Sequence, residues 1–208
     1  MIVVIDYGRG NLFSIEQALR QLGAEYRVSG NPEDIQAADR LILPGVGAFG
    51  DAMSTLFKSG LVEPIRQRAR DGRVPVLGVC LGMQLLFERS EEFGEHAGLA
   101  LLSGTVEALP KGELRIPNVG WRALDSNPGN KFLADIDPAT MVYFVHSFVA
   151  KPSDAGDIAA TIPFNDEQAA IAVARDNIVG FQFHPEKSGP VGLGLLRRFL
   201  DMPGQNPE

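Results

Sequence analysis

The sequence contains one cysteine, Cys80, so an internal disulfide is excluded. Met1 to Ile5 run straight into an apolar segment with no basic leader, and the expectation is a cytoplasmic, unexported protein. Basic residues are outnumbered, 19 Lys and Arg against 26 Asp and Glu for a net charge of -7. No positive field is available to hold a phosphate backbone, which excludes nucleic acid as a partner. Long apolar runs are absent as well: each is broken by Gly, Pro or a charge well short of the roughly 20 residues of a bilayer span, which excludes a membrane protein. Internal repeats and low-complexity segments are also missing. What is present, 208 residues that are 45% hydrophobic, is enough for one compact core and too little for two full-sized domains.

Ile2-Val3-Val4-Ile5 is too short for a helix and reads as a strand buried on both faces. After Asp6-Tyr7-Gly8-Arg9-Gly10, Asn11 is placed to cap a helix with Leu12, Ile15, Leu19 and Leu22 on one face. The cycle repeats with a strand at 26–28, a helix opening at Asn31-Pro32, a strand at 40–43, and Pro44-Gly45-Val46-Gly47. One longer helix, capped by Asp51, is expected through Met53, Leu56, Phe57, Leu61 and Ile65, followed by a strand at 74–79 and a helical pattern from Gly82. This rhythm predicts an α/β protein: a doubly wound, mainly parallel open sheet with helices on both faces. The middle, with turn signals at Gly94, Gly98, Gly104, Gly112 and 126–129, reads as loops and short strands. Strand signals return at 141–145, 157–162, 169–174 and 178–183, and a last helix is expected at 193–200. Residues 1–201 then form one domain, and the tail 202–208 has little to bury and is expected to fray.

Cys80 stands at the end of an apolar strand in Gly78-Val79-Cys80-Leu81-Gly82, the form of a nucleophile elbow with Cys in place of Ser. The sharp strand-to-helix turn forces a strained conformation on the nucleophile, and the flanking glycines leave room for neighbouring backbone. At the start of a helix, the dipole and free amides favour a thiolate. A cysteine without such context is a small buried hydrophobe; the glycine framing reverses that reading. A thiol nucleophile needs a base, and there are three histidines. His96 lies in the Gly-rich middle and reads as a solvated loop residue, and His146 ends a strand and reads as structural. His184 begins His184-Pro185-Glu186 after another apolar strand, where open parallel sheets form their sites. Pro185 pushes His184 toward an extended conformation, so that Glu186 can accept from the imidazole and orient it. Cys80, His184 and Glu186 thus supply nucleophile, base and orienting group for acyl transfer. Oxyanion donors are expected from the amide of Leu81 and from Gly45-Val46-Gly47.

Gly78-Val79-Cys80-Leu81-Gly82-Met83-Gln84 together with Phe183-His184-Pro185-Glu186 resembles the class I, or triad, glutamine amidotransferases over nearly the whole chain. More narrowly, residues 6–11, 43–50, 143–147 and 182–188 are similar to the glutaminase subunits of imidazole glycerol phosphate synthase. The resemblance implies that Cys80 attacks the side-chain amide of L-glutamine, that His184 protonates the departing ammonia, and that water releases glutamate from the thioester. It implies substrate contacts at Gly47, Gln84, Ser147 and Phe148 and an oxyanion hole from Val46, Gly47 and Leu81, with the Val46 loop competent only when the partner subunit is occupied. No cofactor and no metal are called for. A glutaminase alone wastes glutamine, and a barrel synthase needs about 250 further residues, so the ammonia acceptor is expected on another chain. The resemblance names that chain as a (β/α)8 synthase subunit, forming a heterodimer that makes imidazole glycerol phosphate and aminoimidazole carboxamide ribonucleotide in histidine biosynthesis. Asn11, Trp121 and Lys187 are then the interface candidates, Trp121 also being a natural core residue.

One motif departs from the family. Where the pattern is Pro-His-x-Gly-Trp-Asn, this chain has Pro117-Asn118-Val119-Gly120-Trp121-Arg122. The change is expected to alter the surface that faces the synthase. It opens a second reading, a paralogue that supplies ammonia to a sugar amidotransferase in surface-polysaccharide synthesis. A silent binding domain on the same fold predicts a broken triad, and all three members are present. A cysteine peptidase or hydrolase on a related sheet would not require Leu81-Gly82-Met83-Gln84 or a partner.

Overall fold

A computed structural model describes residues 1–204; residues 205–208, part of the tail expected to fray, lie outside the described residues. The first half alternates as the sequence predicts: β1 (Ile2–Ile5), α1 (Leu12–Gln21), β2 (Tyr26–Ser29), α2 (Pro32–Gln36), β3 (Arg40–Gly45), α3 (Phe49–Lys58), α4 (Val62–Arg70), β4 (Val76–Cys80) and α5 (Leu81–Leu85). The middle contributes β5 (Arg89–Ser90), β6 (His96–Ala97), β7 (Gly104–Ala108), β8 (Asn118–Ala123) and β9 (Asp125–Ser126). Then follow β10 (Met141–His146), β11 (Phe148–Pro152), β12 (Ile158–Phe164), β13 (Glu167–Arg175), β14 (Ile178–Phe181) and α6 (Gly189–Leu200).

The main sheet runs β2-β1-β3-β4-β14-β13-β11-β7-β5-β6, and its first five strands are all parallel. From β13 outward a mainly antiparallel extension is added, in which only β5 and β7 pair in parallel, with β12 and β9 off its edge, so the open sheet is mixed. Alternate residues of each parallel strand feed opposite cores. Ile2, Val4, Ile42, Leu77 and Val79 pack with Ile15 and Leu19 of α1 and Leu195, Leu196 and Phe199 of α6. Val3, Ile5, Leu41, Leu43 and Val76 pack with Ile35, Phe49, Leu56 and Ile65 of α2, α3 and α4. Helices therefore cover both faces, and the strands are buried on both sides because each serves two cores.

Several boundaries differ from the sequence reading. The single helix expected through Ile65 is two, because α3 stops at Ser59 and Gly60, which takes a positive φ of 68° and bonds back to Phe57. Ala48, not Asp51, is the N-cap; Asp51 sits in the first turn, and the Phe49 N–H donates to Glu92 Oε2 at 2.7 Å. The helix α5 ends after five residues, so its dipole is smaller than a long helix would supply at Cys80. The strand β11 was hidden by Lys151-Pro152-Ser153, which reads as a turn, and α6 begins four residues early because three glycines blur its periodicity. In the tail, the Met202 carbonyl accepts from Arg40.

The β4–α5 junction fits against β3 only with glycine at 82, where a Cβ would overlap the Leu43 carbonyl oxygen. Gly82→Ala is therefore expected to destabilise the fold by about 3 kcal/mol or more. By contrast Gly194→Ala, where a Cβ meets nothing within 4 Å on helix α6, is expected to stabilise by about 0.5–1 kcal/mol. Urea denaturation of the two variants checks both signs.

Candidate active site

Four adjacent parallel strands deliver their carboxyl ends to one edge: β1 leads to Asp6–Asn11, β3 to Val46 and Gly47, β4 to Cys80, and β14 to His184. Cys80 has φ 56° and ψ -114°, the left-handed backbone that a non-glycine residue holds only at a cost of roughly 1–3 kcal/mol. Close packing enforces it. A Cβ on Gly78 would lie 2.6 Å from the Gly82 carbonyl oxygen, so the strand and helix backbones touch where the glycines stand. The thiol is 8% exposed and lies 3.9 Å from Gln182 Nε2.

His184 takes the extended backbone imposed by Pro185, φ -98° and ψ 95°, ahead of a 3-10 turn at Pro185–Lys187 that carries Glu186. Its Nδ1 is 2.8 Å from Glu186 Oε1, and both side chains are almost fully buried. Nδ1 therefore carries the proton given to the carboxylate, and Nε2, which has no hydrogen-bond partner among the described residues, is the nitrogen left for the thiol. Burial alone would pull the imidazole pKa down; hydrogen bonding and electrostatic interaction with Cys80 and Glu186 outweigh it and raise it to about 9. The loop is also tied to β10. The His184 N–H donates to the Tyr143 carbonyl at 2.9 Å, the Tyr143 N–H donates to Ser188 Oγ at 3.0 Å, and that hydroxyl donates to the His184 carbonyl at 2.7 Å.

A cavity of about 370 Å³ opens over the thiol. Val46, Gly47, Leu81, Gln84, Ser147 and Phe148, all singled out in the sequence, line it together with Cys80 and His184. Glu186 stands behind the imidazole. Gln84 Nε2 donates to the Phe148 carbonyl at 3.1 Å and to Gln182 Oε1 at 2.8 Å, which leaves its Oε1 as an acceptor. Leu81 is the first residue of α5, and its N–H has no intrahelical partner.

Four lining residues were not among the candidates: the apolar Pro117 and Val145, and two ionisable ones, Glu92 and His146. Glu92, in the exposed-looking run Ser90-Glu91-Glu92-Phe93-Gly94, is the acidic side chain of the cavity wall. His146, read as structural, also lines the cavity. Its Nδ1 is 2.9 Å from the Phe148 carbonyl and its Nε2 is 2.8 Å from Asn118 Nδ2. Burial chiefly, with Arg122 and His184 beside it and against the Phe148 bond, pushes its pKa down to about 4. His96 lies away from the cavity, over Gly50.

Of the interface candidates, Trp121 is 51% exposed and meets Tyr143 edge to face at 6.0 Å, Lys187 is exposed, and Asn11 caps α1 at Ser14 beside His184 and Glu186. The expectation for Asn118 and Arg122 is corrected. Strand alternation turns Val119 and Trp121 outward, and Asn118 is buried at 2% exposure against His146. Arg122 points to the same inner side, over the Phe164 ring. The departure from the family motif therefore lies behind the exposed face.

The glutamine amidotransferase class-I family model matches residues 3–202. A crystal structure of a glutamine amidotransferase superposes with a TM-score of 0.76 at 21% identity, covering 97% of this chain and 98% of that one. The PurLQS structure from Thermotoga maritima gives 0.70 at 18% identity, over 96% and 97% of the two chains. The chain belongs to the class-I glutamine amidotransferases. Within them its relatives include the imidazole glycerol phosphate synthase subunit HisH of Syntrophotalea carbinolica, 46% identical over 97% of this chain and 100% of that protein. The HisH subunit of Geobacter metallireducens is 45% identical over 95% and 96%. The family is that of the HisH subunits.

The raised pKa of His184 sets the alkaline limit of any role it plays as an acid. Glutamine hydrolysis is expected to fall as pH rises through about 9, where the imidazolium loses the proton that the leaving nitrogen needs. Glu186→Gln removes an anion that raises this pKa, so the alkaline limb is expected to move to lower pH, and the loss in rate to be smaller than for His184→Ala. The pH profile of kcat/KM for glutamine checks both.

Proposed function

We propose that this chain hydrolyses L-glutamine through a Cys80 thioester and hands the ammonia to a (β/α)8 synthase subunit of histidine biosynthesis. The observation that carries the reading is the cavity in which Cys80, His184 and the oxyanion candidates converge at the strand ends, in a chain with full-length HisH relatives. The thiolate adds to the side-chain carbonyl carbon of glutamine. The Leu81 N–H and an amide of the 45–47 turn hold the oxygen that becomes negative. His184 Nε2–H gives its proton to the amide nitrogen, the C–N bond breaks, and ammonia leaves. The neutral imidazole then takes a proton from water, which attacks the thioester; glutamate departs and the thiolate and imidazolium are restored. Glu92 and Gln84 Oε1 supply acceptors for the substrate ammonium, and the backbone at Ser147 and Phe148 lies where its carboxylate can be held.

The partner reading is supported by the ribbon of β8 and β10. Cross-strand pairs Val119–Val145 and Trp121–Tyr143 give it an exposed apolar face next to the cavity, to which Val145 and Pro117 belong. An aromatic anchor on an apolar patch suits a protein interface. The sugar-amidotransferase reading drew on Asn118 and Arg122, which face away from this surface.

The purified chain is expected to release glutamate slowly, and the histidine-pathway barrel subunit of the same organism with its ribonucleotide substrate to raise the rate roughly 10²-fold, the worth of an oxyanion donor. Absence of stimulation by an active barrel would turn the assignment to another acceptor. Cys80→Ala is expected to abolish hydrolysis and still bind the barrel, while Trp121→Ala weakens binding by about 2 kcal/mol, as titration calorimetry reads.

A further inference from the structure

We propose that Arg122, Asn118 and His146 form a one-directional hydrogen-bond chain that positions the glutamine-binding wall at Phe148 and Gln84. The proposal rests on the glutaminase reading of the cavity. Its sense is fixed at the outer end. The Arg122 guanidinium can only donate, and its Nε lies 2.8 Å from Asn118 Oδ1. That contact orients the Asn118 amide, so its Nδ2 faces His146 Nε2 at 2.8 Å and donates to it. An Nε2 that accepts has no proton, and the single imidazole proton must then sit on Nδ1, 2.9 Å from the Phe148 carbonyl. The same carbonyl takes the Gln84 amide at 3.1 Å. Both lone pairs of one oxygen in the cavity wall are thus occupied, one from β10 and one from α5.

Each link depends on the previous one. With the guanidinium removed, the Asn118 amide is free to turn over, its oxygen then faces His146 Nε2, and that nitrogen must carry the proton. Nδ1 is left with a lone pair against the Phe148 carbonyl. The repulsion shifts the 147–148 backbone and breaks one of the two hydrogen bonds that hold the Gln84 amide, whose Oε1 is the acceptor left for the substrate. The residues at 118 and 122 therefore act as positioning residues for substrate recognition, from the inner side of the same ribbon that presents Trp121.

Long-range proton–nitrogen NMR of the full chain labelled at its three histidines reads the tautomer directly. His146 is expected as the neutral Nδ1–H form at pH 7, and Asn118→Asp, whose carboxylate only accepts, to place a proton on Nε2. In the complex with the barrel, Asn118→Leu and Arg122→Met are expected to raise KM for glutamine about tenfold with kcat within about twofold, the effect of a lost hydrogen bond in substrate binding rather than in chemistry. Arg122 is half-exposed, so its variant keeps the measurement available should Asn118→Leu fail to fold. An Nε2–H or doubly protonated His146 in the wild type overturns the proposal, as does an unchanged KM in the folded Arg122→Met variant. Failure of the wild-type complex to hydrolyse glutamine would instead overturn the functional reading, with the tautomer still measured.

Discussion

The left-handed backbone at Cys80 is the constraint around which the rest is arranged. A φ of 56° on a residue with a side chain is held only because its surroundings leave no relaxed alternative. Gly78 and Gly82 bring strand β4 and helix α5 into contact, Gly82 lies against the Leu43 carbonyl of β3, and the parallel register pairs Gly45 with Cys80. The two-sided core fixes those strands. Without it the turn would open and the thiol would sink back toward the sheet. The catalytic geometry is thus a property of the sheet before it is one of the cysteine.

Histidine 184 depends on a second anchorage, of a different kind. It follows β14 but is held by hydrogen bonds to β10, through the Tyr143 backbone and the Ser188 hydroxyl. The ring of that same Tyr143 packs on Trp121 on the exposed face of the ribbon. The His184 loop and the exposed apolar face therefore share one strand, the loop held by its main chain and the face formed by its side chains. Strand β10 is thus joined to the His184 main chain directly by hydrogen bonds.

What the sequence disclosed follows the range of the signals. The parallel half was legible because its strands are short apolar runs punctuated by glycine and proline, and the triad because Gly-Val-Cys-Leu-Gly and His-Pro-Glu are local geometries. Val46 and Gly47 were legible as a glycine turn at a neighbouring strand's end, whereas Gln84, Ser147 and Phe148 came from the family resemblance, since their spacing alone carries no chemistry. Glu92 was not legible: an acidic residue in a turn looks solvated until the fold swings it to the cavity wall. Asn118 and Arg122 were assigned to the wrong side, although the two-residue period of a strand separates 118 and 122 from 119 and 121. That period applies only once β8 is known to be a strand, and Pro117 and Gly120 disguised it. The long helix after Asp51 failed for the converse reason, since a continuous apolar stripe does not register a glycine that reverses the chain.

The apolar ribbon of Val119, Trp121, Tyr143 and Val145 has a consequence for the chain on its own. A free copy of this chain exposes a surface suited to self-adhesion, restrained mainly by mutual repulsion at a net charge of -7. A copy of this chain made without a protein to cover that ribbon is therefore the form most prone to self-association.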